Sequence, residues 1–300
     1  MGESGIERLP EGCIAHAISL TSPREACCSC AVSTAFRSAA ASDTVWSRFL
    51  PDDLDSLLAR AVDPVQCSSS SSKRDLFFSL CNPILIDGGK MSFSLDRSTG
   101  AKCYMLSARE LFVVWGDTPC YWRWYSLPES RFSEVAELID VCWLEVRGKI
   151  ETKMLSQNTF YAAYLVFKLS DRCSGLGYPP QEASVKLGVF SLINRVCLQP
   201  SDMQAHLHAR RNRGRGRFGR YERWRSVFAH PEAKEAEDDA KEFGGVYPRE
   251  RTDGWMEVQL GQFYNDKGED GEVSMSFLEV KGGHWKHGLI IEGIEIRPKN

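Results

Sequence analysis

The chain has no run of about 18 consecutive apolar residues, the length a membrane-spanning helix needs, and its opening, Met1-Gly2-Glu3-Ser4-Gly5-Ile6-Glu7, holds no apolar signal core. The expectation is a protein kept in the cytoplasm and nucleus, with no membrane partner. A phosphate-binding glycine loop, a nucleophile elbow and an HExxH motif are all missing, so the reading is a non-catalytic protein without a cofactor. A strong charge of one sign is missing too: 37 basic against 40 acidic residues leave a net charge of -3. Nucleic-acid or membrane binding would have to rest on a local patch. The eleven cysteines lack paired spacing, and Cys103, Cys142 and Cys197 sit in apolar runs, which reads as free thiols. Cys27 and Cys30 form one C-x-x-C with no second pair at zinc spacing, so no metal is expected.

What is present is a globular chain of 300 residues, 43% apolar and 26% charged, enough for one sizeable core and a small satellite. The first fifty residues read as three short amphipathic helices. Ile14 and Ile18 share one face, Val32, Phe36 and Ala39 a second, and Val45, Trp46, Phe49 and Leu50 close a third patch before Pro51. Ser22-Pro23-Arg24-Glu25 is a helix start, with a capping hydroxyl, a proline at the first helical position and a glutamate at the third. Residues 52–72 are polar, end in Ser68 to Ser72, and read as linker or loop; a short helix is expected from Asp75 to Cys81 and a turn at Asp87-Gly88-Gly89.

From about residue 102 the period becomes two. Strands are expected at Leu111–Trp115, Val141–Val146, Tyr161–Leu169, Ala183–Val189, Trp255–Leu260, Val273–Phe277 and Leu289–Ile296. One helix is expected among them, on the spacing of Phe132, Val135, Ala136 and Ile139. Many strands with little helix between them argue for an antiparallel sandwich, giving an α+β chain. The boundaries are a helical unit at 5–51, a linker with a short helical segment at 52–101, and a sandwich at 102–300 with a charged insertion at about 200–245. That insertion carries eight arginines between His206 and Arg225, interleaved with Phe218, Tyr221 and Trp224, then an acidic run. It reads first as a solvated loop neutralised by its own acidic half, with nucleic-acid binding and nuclear import as secondary readings.

Leu9-Pro10-Glu11, Ile14, Ile18, Leu20, Ser22-Pro23-Arg24-Glu25-Ala26, Val32-Ser33, Phe36-Arg37 and Val45-Trp46 resemble the F-box family. The resemblance implies docking on the small adaptor subunit of a cullin-based ubiquitin ligase. Leu9, Pro10, Ile14, Pro23 and Val32 are the best-matched contacts, with Ile18, Phe36 and Trp46 beside them. Cys13 and His16 depart from the family pattern.

Ser107-Ala108-Arg109-Glu110-Leu111, Trp115-Gly116-Asp117-Thr118-Pro119, Tyr121-Trp122-Arg123-Trp124, Trp143-Leu144-Glu145-Val146-Arg147-Gly148-Lys149-Ile150, Asp253-Gly254-Trp255 and Gly293-Ile294-Glu295-Ile296-Arg297-Pro298 resemble the Nictaba-type phloem lectins. That resemblance implies a jelly-roll-like sandwich that binds glycans containing N-acetylglucosamine. Trp115 and Trp122 align with the family's binding positions, and Asp117, Tyr121, Arg123 and Trp124 are the local polar and aromatic candidates. An indole face suits the C–H face of a pyranose. Trp143, Trp255 and Trp285 are read as core, and Glu145 with Glu257 is considered and set aside as a hydrolytic carboxylate pair. Together the halves imply a substrate receptor of a ubiquitin ligase. The alternatives are a stress or defence lectin acting through carbohydrate alone, and a sandwich that has lost sugar binding and recognises protein.

Overall fold

The computed structural model describes residues 9–64, 72–199, 245–268, 271–281 and 283–299. The arginine-rich and acidic insertion expected between 206 and 242 lies outside the described residues, as do Ser68 to Ser71 of the serine run.

Four helices, not three, open the chain: α1 (Glu11–Ser19), α2 (Pro23–Ser29), α3 (Thr34–Ala41) and α4 (Asp43–Phe49). The extra break is at residues 30–33, where the chain leaves α2 and the Ser33 hydroxyl accepts from Phe36 N to start α3. The capping box at Ser22 forms as its sequence predicts. Its hydroxyl accepts from Glu25 N and the Glu25 carboxylate accepts from Ser22 N, together stabilising α2 by about 1 kcal/mol. The expected linker is largely ordered: α5 (Leu54–Ala59) buries Leu57, and α6 (Lys73–Leu80) starts from a second capping box at Ser72 and Asp75. A single well-placed leucine is enough to dock so short a helix, and composition averaged over residues 52–72 hides it.

The strands are β1 (Ile84–Ile86), β2 (Met91–Leu95), β3 (Lys102–Ser107), β4 (Phe112–Val113), β5 (Trp122–Tyr125), β6 (Val135–Leu138) and β7 (Leu144–Glu151). They continue as β8 (Thr159–Ser174), β9 (Gln181–Leu187), β10 (Phe190–Val196), β11 (Arg249–Glu250), β12 (Met256–Asn265), β13 (Glu272–Glu279) and β14 (His287–Pro298). One sheet runs β1-β2-β3-β14-β8-β12-β11, with β6 joined to β14 and β5 to β6. The other runs β10-β9-β13-β7-β4, and the ladders are antiparallel throughout. The sheets pack face to face. A side chain added at Gly148 of β7 would stand 3.0–3.2 Å from the side chains of Leu111, Ile294 and Leu106, which rest directly on the β7 backbone there.

The helix expected over 132–139 is instead strand β6. Val135, Ala136 and Leu138 are buried between β5 and β14, where Ala136 pairs with Ile291 and Trp124, so tertiary pairing overrides the 3.6-residue spacing. The sheet also begins before residue 102, because β1 and β2 lead into β3 through the turn 96–100.

That turn joins the helices to the sandwich. Asp96 Oδ1 accepts from the backbone and hydroxyls of Ser98 and Thr99, and Gly100 follows at φ +77. A side chain at Gly100 would lie 3.3 Å from Phe49 O, 3.4 Å from Pro23 and 3.7 Å from the Phe77 ring. Behind them Trp46, 1% exposed, packs against Phe49, Phe77 and Phe78 with centroids 5.2–5.6 Å apart, and its Nε1 donates to Ala40 O. Outer ties are the Arg60–Asp87 fork at 2.6 and 2.9 Å, Lys102 on Asp53 at 2.7 Å, and Val62 N on Leu85 O at 2.9 Å. Helices and sheets thus share one continuous apolar core.

Gly100→Val places a β-branched residue in the left-handed region against three packed groups, and is expected to cost about 3 kcal/mol. Urea unfolding followed by helical circular dichroism and by tryptophan fluorescence should shift together in this variant.

Candidate functional site

The segment from Val113 to Tyr121 folds as successive tight turns. Gly116 N donates to Val113 O at 3.0 Å, Thr118 N to Trp115 O at 2.9 Å, and Tyr121 N to Thr118 O at 2.9 Å. Trp115 takes φ +58, an uncommon backbone for a bulky residue. Two indoles fix the loop from behind: Trp122 Nε1 donates to Val114 O at 3.1 Å and Trp124 Nε1 to Gly116 O at 2.8 Å.

This division corrects the sequence reading of the six candidates. Trp122 is 2% exposed and belongs to the core, so it offers no face to a sugar. Trp124 is half-buried, and the Arg109 guanidinium covers its ring at 3.8 Å. Arg123 is exposed but bound to Glu137, with Nε at 3.0 Å. What remains open is Trp115, 43% exposed, tilted against Tyr121 with centroids 5.1 Å apart, beside the exposed Asp117. Val114 N donates to Glu145 O at 3.1 Å, which joins this corner to β7.

Two tryptophans read as core are at the surface: Trp143 at the mouth of β7, 43% exposed, and Trp285 before β14, 56% exposed. The signal for Trp143 was its parity, since it alternates with Leu144 and Val146, which are buried, and falls in step with Glu145 and Arg147. Trp255 is core as expected, donating from Nε1 to Glu129 O.

Glu145 and Glu257 are not brought together, for they lie on β7 and β12, in different sheets. Glu257 is bound to Arg297, Arg249 and Arg251 at 2.5–2.9 Å, and Arg297 stacks on Tyr164 at 3.8 Å. Burial pushes its carboxyl up, but the three guanidiniums outweigh burial and bring it down to about 2. The arrangement is a structural ion network with no free carboxylate. Among the described residues no three His, Cys, Asp or Glu side chains group as metal ligands.

In the helical unit the eight adaptor candidates divide as well. Ile14, Ile18 and Trp46 are buried within the unit, and Pro23 is buried against the Gly100 turn. These four hold the fold and are not free to meet a partner, while Phe36 is half-buried. Leu9 at 48%, Val32 at 64% and the exposed Pro10 remain, joined by Leu20 at 62%, which ends α1. Leu20 was part of the family match but not among the expected contacts.

The chain pairs a helical unit that exposes Leu9, Pro10, Leu20 and Val32 with a sandwich that exposes Trp115 at one corner. The family model for phloem protein 2 matches residues 101–298. An F-box protein of Arabidopsis thaliana is 44% identical over 298 residues, covering 99% of this chain and 81% of its own length. F-box protein PP2-B1 of Arabidopsis thaliana is 42% identical over 310 residues, covering 99% and 90%. PP2-B10, also from that plant, is 42% identical over 298 residues, covering 98% and 94%. The chain belongs to the F-box proteins that carry a C-terminal phloem protein 2 domain.

The depressed Glu257 carboxyl fixes a sign. Its ionised form stabilises the fold fully above the ordinary value of 4.5, and that contribution is lost as pH falls from there toward 2. Glu257→Gln is expected to cost about 3 kcal/mol at neutral pH, because three guanidiniums lose a shared carboxylate and only Arg251 and Arg297 keep Glu295, and to flatten the acid limb of stability measured by urea unfolding from pH 7 to 3.

Proposed function

We propose that the chain is the substrate-recognition subunit of a cullin-based ubiquitin ligase, working in the cytoplasm and nucleus. Its helical unit docks the small adaptor subunit, its sandwich holds a glycoprotein through N-acetylglucosamine-containing glycans, and ubiquitin transfer belongs to partner subunits. The carrying observation is the exposed apolar set Leu9, Leu20 and Val32 on a unit that buries Ile14, Ile18, Val45, Trp46, Phe49 and Leu50. Each such side chain, half to two-thirds exposed, gains roughly 1–2 kcal/mol when a partner covers the rest. The shared core then transmits the position of the sandwich to the adaptor.

Glycan recognition is assigned to Trp115 with Tyr121 and Asp117, the one aromatic pair of the corner that keeps an open face. A second reading, a sandwich that binds protein and has lost sugar binding, is favoured by the withdrawal of Trp122 into the core and the covering of Trp124 by Arg109.

Purified full-length chain should co-elute with the adaptor, and Leu9→Glu with Val32→Glu should abolish co-elution without changing the circular dichroism. Trp115→Ala should keep co-elution and weaken binding of N-acetylglucosamine oligomers about tenfold. A folded wild-type chain that elutes apart from the adaptor would end the ligase reading.

A further inference from the structure

The outer face of β7 carries a second aromatic surface that the corner at Trp115 does not use. Trp143, Glu145 and Arg147 stand at alternate positions, while Leu144, Val146 and Gly148 face inward. Trp143 Nε1 donates to Glu145 Oε2 at 2.8 Å, and Arg147 Nε donates to Glu145 Oε1 at 2.8 Å. Phe112, 61% exposed, is the register partner of Arg147 on the edge strand β4, so their side chains share that face.

This chain of bonds uses the single polar atom of the indole and leaves its ring face in solvent. Glu145 accepts from both neighbours, and its side chain is only 13% exposed, so it acts as the bracket between them. Arg147 gives Nε to that bracket and keeps its terminal N–H groups without a protein acceptor among the described residues. A fixed indole face beside unspent guanidinium donors suits a pyranose. The C–H face lies on the ring, and a hydroxyl or an acetamido oxygen accepts from arginine. From Trp143 to Arg147 and Phe112 is four strand residues, roughly 13 Å, more than one sugar ring spans.

We propose that the outer face of β7 is an oligosaccharide strip: Trp143 stacks one ring, and Phe112 with Arg147 takes a later ring of the same saccharide. The strip rests on the carbohydrate reading given above and adds to it a chain-length preference and a direction, along β7. The Val114–Glu145 backbone bond ties the strand that carries the strip to the Trp115 corner.

Calorimetric titration of the full-length chain with the monomer, dimer and tetramer of N-acetylglucosamine tests it. The tetramer should bind more tightly than the monomer. Trp143→Ala should weaken tetramer binding about five- to tenfold and leave the monomer less affected, Phe112→Ala should do the same, and Trp143→Phe should restore most of the loss. Both positions are exposed, so the thermal midpoints should match the wild type and confirm folding. Tetramer binding unchanged in Trp143→Ala and Phe112→Ala but lost in Trp115→Ala would overturn the strip and leave the carbohydrate reading standing. No binding of any oligomer by folded wild type would overturn both.

Discussion

Everything in this molecule depends on the close approach at Gly100. A hairpin turn of the large sheet presses its backbone against Pro23, the Phe49 carbonyl and the Phe77 ring, with Gly100 at φ +77 and only 3.3–3.7 Å of room for a Cβ. Behind that contact Trp46, Phe49, Phe77 and Phe78 form an aromatic cluster that belongs to the helices and rests on the hairpin. Four helices of seven to nine residues are too short to be stable alone, and here they are part of a larger core. The cost is that Pro23 and Trp46, residues of the F-box pattern, are consumed internally. The gain is a defined angle between the end that exposes Leu9, Leu20 and Val32 and the sandwich, as the proposed substrate-receptor role requires.

The same logic governs the aromatic corner. Tryptophan carries one polar atom, and where that N–H goes decides what the ring can do. Trp122 and Trp124 spend theirs on the carbonyls of Val114 and Gly116, which fixes the loop. Trp143 spends its own on Glu145, a neighbour on the same strand face, and so keeps its ring outside. Trp115, held by backbone turns and by its ring contact with Tyr121, is presented by the scaffold that the other indoles build. Support and presentation fall on different tryptophans of one short stretch.

Much of this was legible in the sequence. The antiparallel sandwich follows from period-two runs, and the start of α2 from Ser22, Pro23 and Glu25, because both signals are local. The families were legible too, since their motifs recur in order along the chain. Three features were not. The stretch 132–139 has helical spacing, yet β5 and β14 offer it a buried strand position, a long-range fact that no window contains. Leu57 docks α5 by joining the shared core, which no local window shows. Trp115 and Trp122 look equivalent in sequence, and only the path of the loop sends one out and the other in. Trp143 was legible in principle, because it shares the parity of Glu145 and Arg147, but proximity to a strand invited the core reading.

The claim that helices and sandwich are one body is tested most directly by native-state hydrogen exchange of the full-length chain. The account predicts that the amides of α4 and α6 and those of β3 and β14 open with the same free energy and respond to denaturant with the same slope, as one cooperative unit. Helical amides that exchange through a separate opening several kcal/mol lower, while the strands stay protected, would contradict it and return the F-box to an independently moving element.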